Sequence, residues 1–118
     1  MTISRALFLV ALGMALGTQA LAAPNESQIE RGHHVYQKWC YPCHGPGTDK
    51  PGTNAMAAQG LKPAVLEERT DLTPAAIKGY VRHGIYFMPT FRKTEISDAD
   101  LDAIAAYLTR SNKPAATK

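Results

Sequence analysis

The two cysteines of this 118-residue chain stand three positions apart, and a histidine follows the second: Cys40-Tyr41-Pro42-Cys43-His44. A disulfide across so short a loop would remove little chain entropy from the unfolded state, so the pair points to chemistry rather than to cross-linking. A redox-active dithiol uses a helix N-terminus to lower a thiol pKa. Here the cysteines follow a helical stretch, and no βαβ pattern surrounds them. A zinc site needs four ligands. His33 or His34 could join Cys40, Cys43 and His44, but no second paired-ligand cluster exists, and both histidines read as exposed helix residues. Covalent haem satisfies the spacing best. Each thiol adds across one porphyrin vinyl group, and the neighbouring histidine is delivered beneath the iron as an axial ligand. The motif therefore predicts one haem c on Cys40 and Cys43, with His44 on the metal.

The start of the chain suits export. Met1 to Arg5 holds one positive charge and no acid, Ala6 to Leu16 is apolar apart from one glycine, and small residues run from Ala20 to Ala23. That is the pattern of a secretory signal over residues 1–23, cut after Ala22 or Ala23. The apolar run is about eleven residues, short of the ~20 needed to span a hydrocarbon core. A soluble periplasmic protein without stable membrane insertion is expected, with its domain over 24–110 and a disordered polar tail over 111–118. Such a small domain leans on a staple. Of the thirteen Lys and Arg, Arg5 goes with the signal, leaving twelve against ten Asp and Glu. No basic stretch is dense enough for nucleic acid.

Along the mature chain, Asn25 with Gln28 three residues on reads as a capping box. Ile29, Gly32, Tyr36 and Trp39 then fall on one face, which predicts a helix over 26–39. Residues 40–60 read as loop, broken by His44-Gly45-Pro46-Gly47 and Lys50-Pro51-Gly52. A short helix is expected within Leu61 to Arg69, starting at Pro63. Thr73-Pro74 starts a helix whose apolar face is Ala76, Ile77, Tyr80 and Val81, and Gly84 ends it. Ile85 to Lys93 is a second loop. Ser97 caps the last helix, with Leu101, Ile104, Tyr107 and Leu108 as its buried face. The expectation is an all-α domain of three to four helices and long loops wrapped around one haem.

Low-spin electron carriers need a second axial ligand, and methionine with histidine raises the potential. Met56 and Met88 follow the signal. Met88 is favoured, because it stands on a loop far from His44 and its backbone is restricted by Pro89; Met56 reads as core filler. Phe91, Leu72, Ile85 and Tyr80 are expected in the haem wall. Arg82 either grips a propionate bidentately or is a solvated cation at a helix end. Trp39 is expected to pack.

Over about residues 26–110 the sequence resembles a class I cytochrome c. Gly32, Tyr36 and Cys40 match the family's first-helix pattern, and Ile104 and Tyr107 its last-helix pattern. The resemblance implies that the two helices cross at the glycine, Gly32 against Ile104 and Tyr36 near Tyr107. It also implies that a proline carbonyl holds the haem histidine, with Pro51 and Pro46 both candidates. Val81-Arg82-His83-Gly84, Met88-Pro89-Thr90-Phe91 and Ile96-Ser97-Asp98-Ala99-Asp100-Leu101 are similar, more narrowly, to the cytochrome subunit of p-cresol methylhydroxylase-type flavocytochromes. What this implies is a non-enzymatic carrier of single electrons. It would take them from a flavoprotein dehydrogenase of para-alkylphenols and pass them to a downstream acceptor. The alternative is a free periplasmic shuttle between another dehydrogenase and a terminal oxidase. Electrons are expected to cross at the haem edge beside the attachment motif.

Overall fold

A computed structural model describes residues 25–112. The export signal expected over 1–23 and residues 113–118 of the tail expected over 111–118 lie outside the described residues; at the start of that tail the Asn112 side chain donates to the Leu72 carbonyl at 2.6 Å.

Among the described residues five α-helices follow one another, one or two more than expected, and there is no strand, only an isolated bridge between Ile85 and Met88. Helix α1 (Glu26–Trp39) begins where the Asn25 side chain accepts the Gln28 N–H at 2.8 Å. The next helical turn, α2 (Tyr41–His44), carries the cysteine motif onward. Helix α3 (Pro51–Ala58) lies inside the stretch expected as loop. Pro51 is its first residue, and proline at that position starts helices, although beside Gly52 it reads as a breaker in the sequence. Where a helix was expected near Pro63, the chain makes a single 3-10 turn at Leu66–Glu68. Helix α4 (Pro74–His83) is capped by the Thr73 hydroxyl and stopped by Gly84 at φ 70°. Helix α5 (Asp98–Thr109) is capped by the Ser97 hydroxyl. None of these helices is long and apolar enough to cross a membrane.

The framework is the crossing of α1 and α5. A Cβ on Gly32 would stand 2.0 Å from the Ala103 carbonyl oxygen and 2.8 Å from the Tyr107 Cβ. Only glycine allows that approach. The neighbour across the crossing is thus Ala103, one residue before the Ile104 implied by the family pattern. Tyr36 lies against Tyr107 as expected, ring centroids 5.6 Å apart. Tyr36 and Ile104 are fully buried. The Arg31 guanidinium meets the Asp100 carboxylate at 2.8 Å, tying the two helices at their edge. Helix α4 adds Ile77 and Val81 to the same core. The segments between α3 and α4, and between α4 and α5, bury much less. They curve instead around a hollow.

Candidate functional site

The hollow is an apolar cavity of about 480 Å³. Trp39, Cys40, Cys43 and His44 form one part of its lining, and Met88, Pro89 and Phe91 another. Helix α1 runs directly into α2 and so sets where the two thiols sit. Neither cysteine is in a disulfide; Cys40 is buried and Cys43 exposed. Burial pushes the Cys40 thiol up to about 12. Among the described residues no group of three or more Cys, His, Asp and Glu is arranged to hold a metal ion.

His44 is held from several directions. Its N–H closes the α2 turn on the Cys40 carbonyl at 2.8 Å, and its own carbonyl accepts the Tyr36 hydroxyl at 3.3 Å. Gly52, at the start of α3, cradles the ring: a Cβ there would lie 2.7 Å from Cε1 and 2.9 Å from Nδ1. The Thr53 hydroxyl donates to the Gly45 carbonyl at 2.8 Å and fixes α3 beside the motif. Desolvation holds the His44 imidazole below its ordinary pKa, so the neutral, metal-ligating form is favoured. Nδ1 is buried and has no partner. Neither of the two candidate proline carbonyls, Pro46 or Pro51, accepts a hydrogen bond from it, contrary to what the family pattern implies.

Both methionines line the cavity. Met56 therefore belongs to the wall rather than to a separate core. It comes from α3, the helix packed on α2, whereas Met88 comes from the loop after α4. That loop is braced. The Phe91 N–H bonds the Val81 carbonyl at 2.9 Å, and the Phe91 ring meets the Trp39 ring edge-on at 5.8 Å. Leu72, Tyr80, Ile85 and Phe91, the expected wall residues, all face the cavity.

Arg82 does not line the cavity. Its guanidinium donates to the Phe91 carbonyl at 3.0 Å and to the Asp98 carboxylate at 2.9 Å, which leaves it a brace between the methionine loop and the start of α5. The cationic residue that does reach the cavity is Arg69, overlooked in the sequence. It is 9% exposed, its Nη2 meets Asp71 at 2.5 Å, and its Nη1 is buried without a partner. A buried guanidinium nitrogen without an acceptor is costly, and it is poised for a carboxylate on whatever fills the cavity. Nothing in the local sequence distinguishes Arg69 from Arg82; only the path of the 59–73 segment does.

A large apolar hollow lined by two thiols, an imidazole, two methionine sulfurs and a guanidinium has the chemistry to hold a haem. Comparison with known proteins agrees. The family model described as "Cytochrome C oxidase, cbb3-type, subunit III" matches residues 27–108. The chain belongs to the cytochrome c family. It is 36% identical over 107 residues to the 4-cresol dehydrogenase [hydroxylating] cytochrome c subunit of Pseudomonas putida, covering 91% of this chain and 83% of that one. It is 28% identical over 82 residues to cytochrome c6 of Cyanidium caldarium, covering 70% of each. No solved structure matches. As a member of this family the chain is an electron-transfer protein built for haem, not an enzyme in its own right.

Proposed function

We propose that the chain is an exported monohaem c-type cytochrome of the periplasm. Cys40 and Cys43 would form the thioethers, His44 and Met88 would be the axial ligands, and Arg69 would hold a propionate. The carrying observation is that one cavity collects all five side chains. Bound haem supplies a metal that cycles between two oxidation states one electron apart. With His44 and Met88 both holding the iron, the chain would leave no position for oxygen or substrate, and only electrons would be exchanged. Gly52 and Tyr36 keep His44 in place, and Arg82 with Phe91 keeps the Met88 loop in place. The apolar lining excludes water and raises the potential.

The electron donor we propose is a flavin-dependent dehydrogenase of para-alkylphenols, of which this chain would be the cytochrome subunit. Similarity to the cytochrome subunit of 4-cresol dehydrogenase supports it. A reduced flavin holds two electrons and hands them over singly, so each donor turnover needs two one-electron reductions of the cytochrome, with the first electron passed on before the second arrives. The free-shuttle alternative predicts no co-purifying dehydrogenase.

Extraction of the matured protein with acid–acetone, followed by a pyridine haemochrome spectrum, tests the attachment. One haem per chain should stay with the polypeptide. Haem that leaves into the solvent would refute the thioethers.

A further inference from the structure

One segment supplies Leu61, Leu66, Arg69, Asp71 and Leu72 to the cavity lining. Yet it has almost no regular structure. Between α3 and α4 the chain makes a single 3-10 turn, Leu66–Glu68. The backbone hydrogen bonds of residues 62–72 are local: the Glu68 N–H donates to the Val65 carbonyl and the Arg69 N–H to the Leu66 carbonyl. Leu66 and Leu72 pack against the core and draw the segment inward. Apolar packing is non-directional, however, and does not fix where a guanidinium ends up. Among the described residues, two hydrogen bonds tie residues 62–72 to the rest of the fold, and both come from the end of α5. The Tyr107 hydroxyl donates to the Glu67 carboxylate. Just past the helix, the Asn112 side-chain amide donates to the Leu72 carbonyl at 2.6 Å. Arg69 lies between the two tied residues.

The Tyr107 donor is itself held firmly. Its ring centroid is 5.6 Å from that of Tyr36 and 5.1 Å from that of His33, and the Arg110 guanidinium stacks on it at 3.9 Å. Burial, and after it the bond to Glu67, push the phenol up to about 12, so it remains a donor at neutral pH. What the segment delivers is charge. Arg69 is buried, one of its nitrogens meets Asp71, and Nη1 has no partner. A cation beside a haem resists the positive charge that oxidation adds to the iron, and so raises the potential. A small outward shift that admits water screens this effect.

We infer that Tyr107 and Asn112 are positioning residues for the haem, two clasps at the end of α5 that hold the 62–72 segment in register, so that Arg69 stays on the propionate and tunes the reduction potential. The inference rests on the propionate contact proposed above and deepens it. Neither clasp lines the cavity; both act through Arg69.

The test is potentiometric titration of the full-length, haem-loaded protein at neutral pH. Arg69→Gln fixes the scale and should lower the potential. A Tyr107→Phe, Asn112→Ala double variant keeps Arg69 and both rings of the crossing, and should lower the potential by about half of that shift or more. Added to Arg69→Gln, the same pair should lower it no further, because residues that act through one group are not additive. Asn25→Ala removes the α1 cap and loosens the fold away from the clasps and the cavity; it should leave the potential unchanged. If the double variant does not take up haem, Tyr107→Phe and Asn112→Ala should each lower the potential singly, and loss of haem attachment in both singles would show a folding role and overturn the inference. A double variant at the wild-type potential would also overturn it and leave the propionate contact standing. So would a shift that adds in full to that of Arg69→Gln, or an equal shift in Asn25→Ala. If Arg69→Gln itself keeps the wild-type potential, the propionate contact fails, and the role of the clasps fails with it.

Discussion

The α1–α5 crossing and the turn at residues 85–88 sit in the same small domain and obey opposite rules. At the crossing, a glycine admits the Ala103 backbone, Tyr36 is sealed, and Arg31 closes the edge on Asp100. At the turn, two aromatic rings face outward from a left-handed backbone. The crossing is arranged for stability; the turn gives up stability to present Met88 inward and its rings outward. A fold this small cannot afford much of the second kind, and it confines it to one side of the haem cavity.

Substitutions can break or sharpen that contrast. The largest effect is expected at Gly32. Gly32→Val drives a side chain into the Ala103 carbonyl, which cannot rotate away, and should cost about 3 kcal/mol or more in urea denaturation of the holoprotein. Phe87→Ser should cost far less in the same assay, about 1 kcal/mol or less, because the ring stands at the rim of the cavity and is exposed. Equal losses at the two sites would erase the distinction.

Arg69→Gln comes next. It removes a charge-assisted hydrogen bond to the proposed propionate and should lower holoprotein stability by about 2 kcal/mol. An unchanged unfolding midpoint would show that Arg69 does not contact the group. Ser97→Ala removes the α5 cap and should cost about 1 kcal/mol in thermal melts.

The smallest effect is an acid dependence at the edge of the crossing. The Ser97 hydroxyl and, after it, Arg31 hold the Asp100 carboxyl below its ordinary 3.8. A depressed folded pKa means that its contribution is complete above pH ~4 and is lost as pH falls through the lower, folded value. Asp100 is half-buried and its Arg31 partner is exposed, so about 0.5 kcal/mol is at stake. Asp100→Asn should flatten stability against pH below ~4 and leave the slope near neutrality unchanged.

Much of this was legible in the sequence, for identifiable reasons. Asn25, Thr73-Pro74 and Ser97 each mark a helix start through a local hydrogen bond or a preset φ, and all three helices begin where those residues say. The motif Cys40–His44 carries its chemistry in five adjacent positions, so no tertiary information is needed to find it. The misses are tertiary. Pro51 can start a helix or break one, and the choice was made by packing of α3 against the motif. Arg69 and Arg82 are equally plausible grips until the chain path sends one to the cavity and the other to Asp98. The register at Gly32 differed by one residue, because spacing fixes a face of α5 but not which backbone carbonyl lies at the point of closest approach.

The most direct test of the whole account is the visible spectrum of the matured oxidised protein beside its Met88→Ala and Met56→Ala variants. A covalent haem closed on both faces predicts the weak far-red methionine-to-iron band in the wild type and in Met56→Ala, and its loss in Met88→Ala. A colourless protein, or a band that survives Met88→Ala, would contradict it.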